Sequence, residues 1–289
     1  MKRNILFVIL AALLMTACGT TSTVPVTGRT HRLLVDDAQV LSLSKQQYSE
    51  VLGKSTISTD KTKTAMVKNV GQKLATAVET YLKNNGMAND LQYYEWEFNL
   101  VKSDQVNAFC MPGGKIVVYE GILPVTKDEA SLAIVLGHEI AHAVAKHSAE
   151  QMSTQMRQAY GAQIVGGILN KSVGGNAAAI ATTLASAGFN FANLKYSRDN
   201  ETEADYIGLI FAAMAGYDPQ AAIPFWERMA ASATKKPNEL FSDHPSDANR
   251  IANLQKAMPE ALKYYTPPVK ATTKTSTTST AKKVTTKKK

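Results

Sequence analysis

An α+β fold, mostly α, with a small antiparallel sheet and one helix buried on every side is what this chain of 289 residues predicts. Three observations carry that expectation. Long stretches repeat their apolar residues at helical spacing, and a short region between residues 94 and 119 repeats them at a spacing of two. A third segment, beyond residue 126, is apolar nearly all round yet carries two histidines and a glutamate.

In chain order, Lys2 and Arg3 precede an apolar run over residues 5–15 and then Thr16-Ala17-Cys18. The run is too short to span a bilayer comfortably, and its flanks read as a secretory signal. Small residues before Cys18 are like a bacterial lipobox, with Met15 where Leu is usual. A signal peptide over 1–17, lipidation of Cys18 and a tether over 18–35 are expected, followed by one domain over 36–265 and a tail over 266–289. The mature chain would then be anchored by lipid to a bacterial envelope membrane, facing the periplasm. The outer membrane is favoured because Gly19, not Asp, follows Cys18. A soluble secreted protein or a retained anchor is the alternative.

Residues 36–52 and 63–82 read as helices. In the second, Val67, Val70, Leu74, Val78 and Tyr81 fall on one stripe and Gly86 marks the stop. Tyr94, Trp96, Phe98 and Leu100 alternate with Glu95, Glu97 and Asn99, the period of a half-buried strand. Residues 107–111 and 115–119 are further short runs, joined through Pro112-Gly113-Gly114 as a hairpin. An edge strand carrying Asn107 and Ala108 can pair with an extended peptide, or the sheet can be purely structural. Thr126-Lys127-Asp128-Glu129 has the form of a capping box, so a helix is expected to start there. Leu132, Ile134, Val135, Leu136, Ile140, Ala141 and Val144 then make that helix a buried one. Residues 159–194 are poor in charge and rich in Gly and Ala, and Lys171 and repeated Gly interrupt any spanning run. A close-packed helical hairpin beside the buried helix is expected there.

His138-Glu139-Ile140-Ala141-His142 lies in the buried helix. On a helix the two histidines sit one turn apart on one face, so two imidazole nitrogens can converge on a metal, with Glu139 beside them. Buried without partners, such groups cost roughly a few kcal/mol each, and coordination supplies partners. Core histidines satisfied by backbone carbonyls are the plainer reading. Catalytic zinc takes three protein ligands and keeps one position for water. His147, five residues after His142, would lie about 140° round the helix and is set aside. The longer metalloprotease signature would need Gly at 145 and His at 148, where this chain has Ala145 and Ser148. Glu201 and Asp205 share a face at helical spacing, while Glu203 points away. Glu201 can ligate, and Asp205 can accept the free N–H of a ligating histidine and fix its tautomer. An acidic helix start favoured by the macrodipole fits the same residues.

These segments resemble the HtpX and CAAX-prenyl-protease family of zinc metallopeptidases, within the thermolysin-like, or gluzincin, group. The matching pieces are Asn107-Ala108-Phe109, Pro112-Gly113-Gly114, the His138 to His142 motif, Ser197-Arg198 with Glu201, Ala204 and Asp205, Gly216-Tyr217-Asp218-Pro219, His244-Pro245 and Arg250-Ile251. The resemblance implies a zincin-like metallopeptidase fold whose buried helix is the active-site helix. It implies one Zn²⁺ held by His138, His142 and Glu201, with Glu139 as general base toward a zinc-activated water. It also implies a substrate strand at Asn107, Ala108 and Phe109. For His244 two roles stay open: a hydrogen bond to the oxyanion, or occupation of the open zinc position in a latent state. A plain turn residue before Pro245 is the third reading.

Net charge of +8 suggests nucleic acid and is misleading. Seven of the positive charges are Lys270, Lys274, Lys282, Lys283, Lys287, Lys288 and Lys289, two more are Lys2 and Arg3, and no acidic residue lies in either segment, which leaves −1 for the remainder. A near-neutral core offers no phosphate-binding surface, so no nucleic-acid partner is expected. The tail reads as disordered. With Cys18 acylated, Cys110 has no partner for a disulfide. The motif and the resemblance point to a zinc-dependent endopeptidase, and the resemblance together with the expected location implies action on unfolded or misassembled envelope polypeptides. The alternative is an envelope lipoprotein with a chaperone-like or scaffold role and a latent or structural zinc site.

Overall fold

The computed structural model describes residues 20–165, 188–233, 244 and 249–267. The signal peptide, Cys18, most of the hairpin expected over 159–194 and the lysine-rich tail lie outside the described residues.

Strands β1 (Thr20–Thr23) and β2 (Thr30–Leu33) pair antiparallel. Residues 18–35 are therefore not a plain tether from Thr20 onward. The alternation of β2 buries His31 and Leu33, and the following Val35 is buried as well, so the hairpin has an inner face of its own.

Helix α1 (Asp37–Lys54) is capped by Asp36, whose carboxylate accepts from the Gln39 amide while Gln39 reaches back. Helix α2 (Lys61–Asn84) buries Val67, Val70, Leu74 and Val78 on the expected stripe and stops before Gly86, at φ 75°.

Strands β3 (Glu97–Val101), β4 (Ala108–Met111) and β5 (Lys115–Tyr119) form one sheet in the order β3-β5-β4. The β4-β5 hairpin is antiparallel as expected, but β3 joins β5 in parallel, so this sheet is mixed. Ile116, Val117 and Val118 are apolar on both faces, and a strand of that kind belongs in the centre. That leaves β4 at an edge. Phe98, Leu100, Ala108, Ile116 and Val118 face the main core, while Phe109, Met111 and Val117 face a second one built with β2 and α1.

A short turn of helix, α3 (Leu123–Thr126), precedes the buried helix α4 (Glu129–Val144). The expected cap is displaced by two residues. Lys127 takes φ 67° and breaks the chain between α3 and α4, Thr126 donates its hydroxyl back to the Leu123 carbonyl, and Asp128 accepts from the Ser131 amide as the true cap. Every residue of α4 from Ser131 to Val144 is buried, as its composition predicts.

Helix α5 (His147–Val165) follows after Lys146 at φ 56°, and α6 (Arg198–Met214) is capped by Ser197. Helices α7 (Ala222–Ala233) and α8 (Arg250–Ala261) complete the described fold. Among the described residues no helix is long and apolar enough to cross a membrane.

Candidate metal centre

Helices α4 and α6 cross in backbone contact. A Cβ on Gly208 would stand 2.7 Å from the Gly137 carbonyl carbon, and one on Gly137 would stand 2.8 Å from the Gly208 carbonyl oxygen. With no side chain between them, the start of α6 reaches the face of α4 that carries the motif. Glu201 thereby meets His138 and His142.

Four buried groups converge: His138, His142, Glu201 and His244. The Nε2 atoms of His138 and His142 are 3.1 Å apart, and His138 Nε2 is 3.2 Å from His244 Nδ1. Glu201 places its oxygens 3.4 Å from each of the two Nε2 atoms and 3.0 Å from His244 Nδ1. Ligands about 2.0–2.1 Å from a tetrahedral zinc are spaced by roughly 3.3–3.4 Å, and these distances come near that spacing. Orphaned atoms point the same way. Glu201 Oε2 and Glu139 Oε1 are buried with no hydrogen-bond partner. An N/O donor set of this kind suits a first-row divalent ion.

Each site residue has a local cause. Asp205, one turn after Glu201, accepts from His138 Nδ1 at 2.9 Å and so leaves Nε2 free for a metal. Arg250 donates to the same Asp205 oxygen at 2.6 Å while its guanidinium lies 3.5 Å from the ring centre of Trp226. Burial works to raise the Asp205 carboxyl, but Arg250 and His138 outweigh it and hold it down. Glu201 is likewise held far below the usual carboxylate range, against burial, by His138, His142 and His244. Burial lifts Glu139 above its ordinary value, with His244 and His138 opposing.

The strand residues singled out for substrate also come to this place. Asn107, Ala108 and Phe109 line a small cavity with Glu139, Tyr196 and His244. The β4 edge is covered there by the turn Phe191–Asn193, and Phe191 and Leu194 are buried beside it. Asn107 uses its own side-chain oxygen on the Ala108 amide, at 2.8 Å. Cys110 is free and buried, and burial pushes its thiol well up.

His147 is absent from the metal cluster, as expected, but for a different reason. Helix α4 ends at Val144, so His147 opens α5, and its Nδ1 approaches His142 Nδ1 at 2.9 Å from behind. Glu203 points away from the cluster of His138, His142, Glu201 and His244, as expected, yet it is occupied, by His147, Arg29 and Thr27. Tyr196, unnoticed in the sequence, stacks on the His142 ring with centroids 4.0 Å apart. The Gly137 and Gly208 contact was missed too. Its signal was present, since Gly208 lies seven residues after Glu201 on the same helix face.

Residues 62–258 match the family described as Peptidase family M48. Mitochondrial metalloendopeptidase OMA1 of Schizosaccharomyces pombe is 38% identical over 187 residues, 64% of this chain and 53% of the relative. The human metalloendopeptidase OMA1, mitochondrial, is 31% identical over 245 residues, 83% of this chain and 46% of the relative. Beta-barrel assembly-enhancing protease of Escherichia coli (strain K12) is 32% identical over 166 residues, 55% of this chain and 34% of the relative. The chain thus spans between a third and about half of the length of these relatives.

Proposed function

Because the chain belongs to Peptidase family M48, we propose that it is a zinc metalloendopeptidase with His138, His142 and Glu201 as the metal ligands. The observation that carries this reading is the convergence of those three side chains, with N–N and N–O distances of 3.1 and 3.4 Å and Glu139 buried beside them. A glutamate ligand followed four residues later by Asp205 supports a reading of the chain as close to the HtpX and CAAX-prenyl-protease group.

When bound, zinc supplies Lewis-acid chemistry, polarising a carbonyl and making water acidic enough to yield hydroxide near neutral pH. Glu139 takes the proton from the attacking water at Oε1, which accepts no hydrogen bond and has His244 Nε2 3.6 Å away, and delivers it to the leaving amine. Asp205 and Arg250 keep His138 in the tautomer that presents Nε2. Asn107, Ala108 and Phe109 hold an extended polypeptide once residues 191–194 move off the strand edge. The chain should hydrolyse denatured casein, lose that activity to a chelator and regain it with zinc. Glu139→Gln should keep the metal and lose about 10²- to 10⁴-fold in rate. Undiminished hydrolysis by that variant would exclude Glu139 as the base.

His244 Nδ1 stands among the ligand atoms, and this favours a latent resting state in which it fills the fourth position. The same observation supports a second reading, a chaperone-like or scaffold lipoprotein with a latent or structural zinc site. In His244→Ala, faster casein hydrolysis supports a peptidase held latent, and slower hydrolysis supports oxyanion stabilisation instead. Tight zinc with no hydrolysis in either form supports the scaffold.

The substrate class proposed is unfolded or misassembled envelope polypeptide, with the chain anchored through lipidated Cys18 and facing the periplasm at the outer membrane. Sequence alone supports this placement, and the relatives' names divide between mitochondrial proteins and a barrel-assembly protease. Cys18→Ala should move the chain to the soluble fraction, and removal of residues 266–289 should leave hydrolysis intact.

A further inference from the structure

Behind His142 runs a chain of polar contacts that the proposed hydrolysis does not use. His142 Nδ1 meets His147 Nδ1 at 2.9 Å, and His147 Nε2 meets Glu203 Oε2 at 3.0 Å. Glu203 accepts from Arg29 Nε at 2.7 Å and from the Thr27 hydroxyl at 2.6 Å. Thr27 and Arg29 belong to the turn between β1 and β2. Arg29 is fixed in turn by a two-bond pairing with Glu150, both at 2.9 Å, and Glu150 also takes His31 and Asn200. His147 is wholly buried.

Proton positions along this chain are determined by its chemistry. If His142 gives Nε2 to a metal, its one ring proton sits on Nδ1 and needs an acceptor. His147 Nδ1 is in reach, so His147 carries its own proton on Nε2 and donates it to the Glu203 carboxylate. Every link then has one donor and one acceptor. His138 has a carboxylate directly behind it, whereas His142 has one relayed through a second imidazole.

Resting on the metal reading above, we propose that His147 is a positioning residue for the metal centre. The N-terminal hairpin, through Thr27 and Arg29, acts as the clamp that keeps it aimed at His142. Residues more than a hundred positions before the motif thus contribute to metal retention without touching the metal.

Zinc affinity of the full chain, measured by competition with a chromogenic chelator, tests this. Loss of such an outer partner lowers metal affinity about 10- to 100-fold, and that is the change expected for His147→Leu. His147→Asn, whose side-chain oxygen can stand where Nδ1 stood, should recover part of it, which a role in packing alone would not give. Arg29→Gln, at a half-buried position outside the core, should weaken zinc in the same direction by less, and it covers the case in which His147→Leu does not fold. Equal zinc affinity in wild type and Arg29→Gln would overturn the clamp. Equal affinity in wild type and His147→Leu, or no recovery in His147→Asn, would overturn the positioning role. A wild-type chain that binds no zinc would overturn the metal reading itself, and this inference with it.

Discussion

Gly208 and Gly137 lie backbone to backbone where α6 crosses α4, and a Cβ on Gly208 would also come within 2.7 Å of the His138 amide nitrogen. The obstacles are main-chain atoms of a buried helix, which cannot turn aside as a flexible side chain can. This crossing sets the distance from Glu201, two turns earlier on α6, to both histidines.

Gly208→Ala should therefore act on the metal as well as on the fold. Overpacking of this kind costs about 1–3 kcal/mol. Forcing the helices apart should also pull Glu201 from His138 and His142. Thermal unfolding with and without zinc would show a lower melting point and a smaller stabilisation by the ion. A variant that melts lower but gains as much from zinc as wild type would separate the crossing from the site.

Arg250 is the counter-charge for Asp205 deep in the core, the two residues being 4% and 8% exposed. Replacing Arg250 by Met keeps bulk beside Trp226 but leaves the buried Asp205 carboxylate with only the His138 N–H and no counter-charge, a change worth up to about 3–5 kcal/mol. Urea unfolding should register that loss. A loss below about 1 kcal/mol, the range of surface pairs, would mean that the His138 N–H alone compensates the Asp205 charge.

Acid should loosen the hairpin clamp. Burial works to raise the Glu203 carboxyl, but His147, Arg29 and Thr27 outweigh it and hold it at about 2. Glu150 is also held well below the usual range, by His31 and Arg29 against burial. Unfolded glutamate titrates at about 4.3, so the unfolded chain takes up these protons first as pH falls. The stabilisation is complete at neutral pH and declines from about pH 5 downward through the folded values. Melting points between pH 7 and pH 3 should fall less steeply in Arg29→Gln than in wild type. Parallel curves would show that this pair of carboxylates does not govern acid stability.

Much of the site was legible because helical spacing is local information. His138, Glu139 and His142 needed only a helix, and Glu201 with Asp205 only another, and both helices exist. The buried character of α4 followed from its composition. What escaped was long-range or depended on a single backbone dihedral. Arg29 meets Glu203 across 174 positions of sequence, and no period links them. Lys127 and Lys146 adopt positive φ without being Gly or Asn, so the shifted cap of α4 and the break before His147 had no residue signal. The parallel β3-β5 pairing was hidden because alternation reports a strand's faces and says nothing of its neighbour's direction.

Three side chains from two separate helices, His138, His142 and Glu201, should hold one zinc ion. Anomalous diffraction from zinc-loaded crystals, recorded on both sides of the zinc absorption edge, tests it most directly. One peak at bonding distance from His138 Nε2, His142 Nε2 and a Glu201 oxygen is the result predicted. A peak elsewhere, or one at the two histidines with Glu201 turned away, would contradict it.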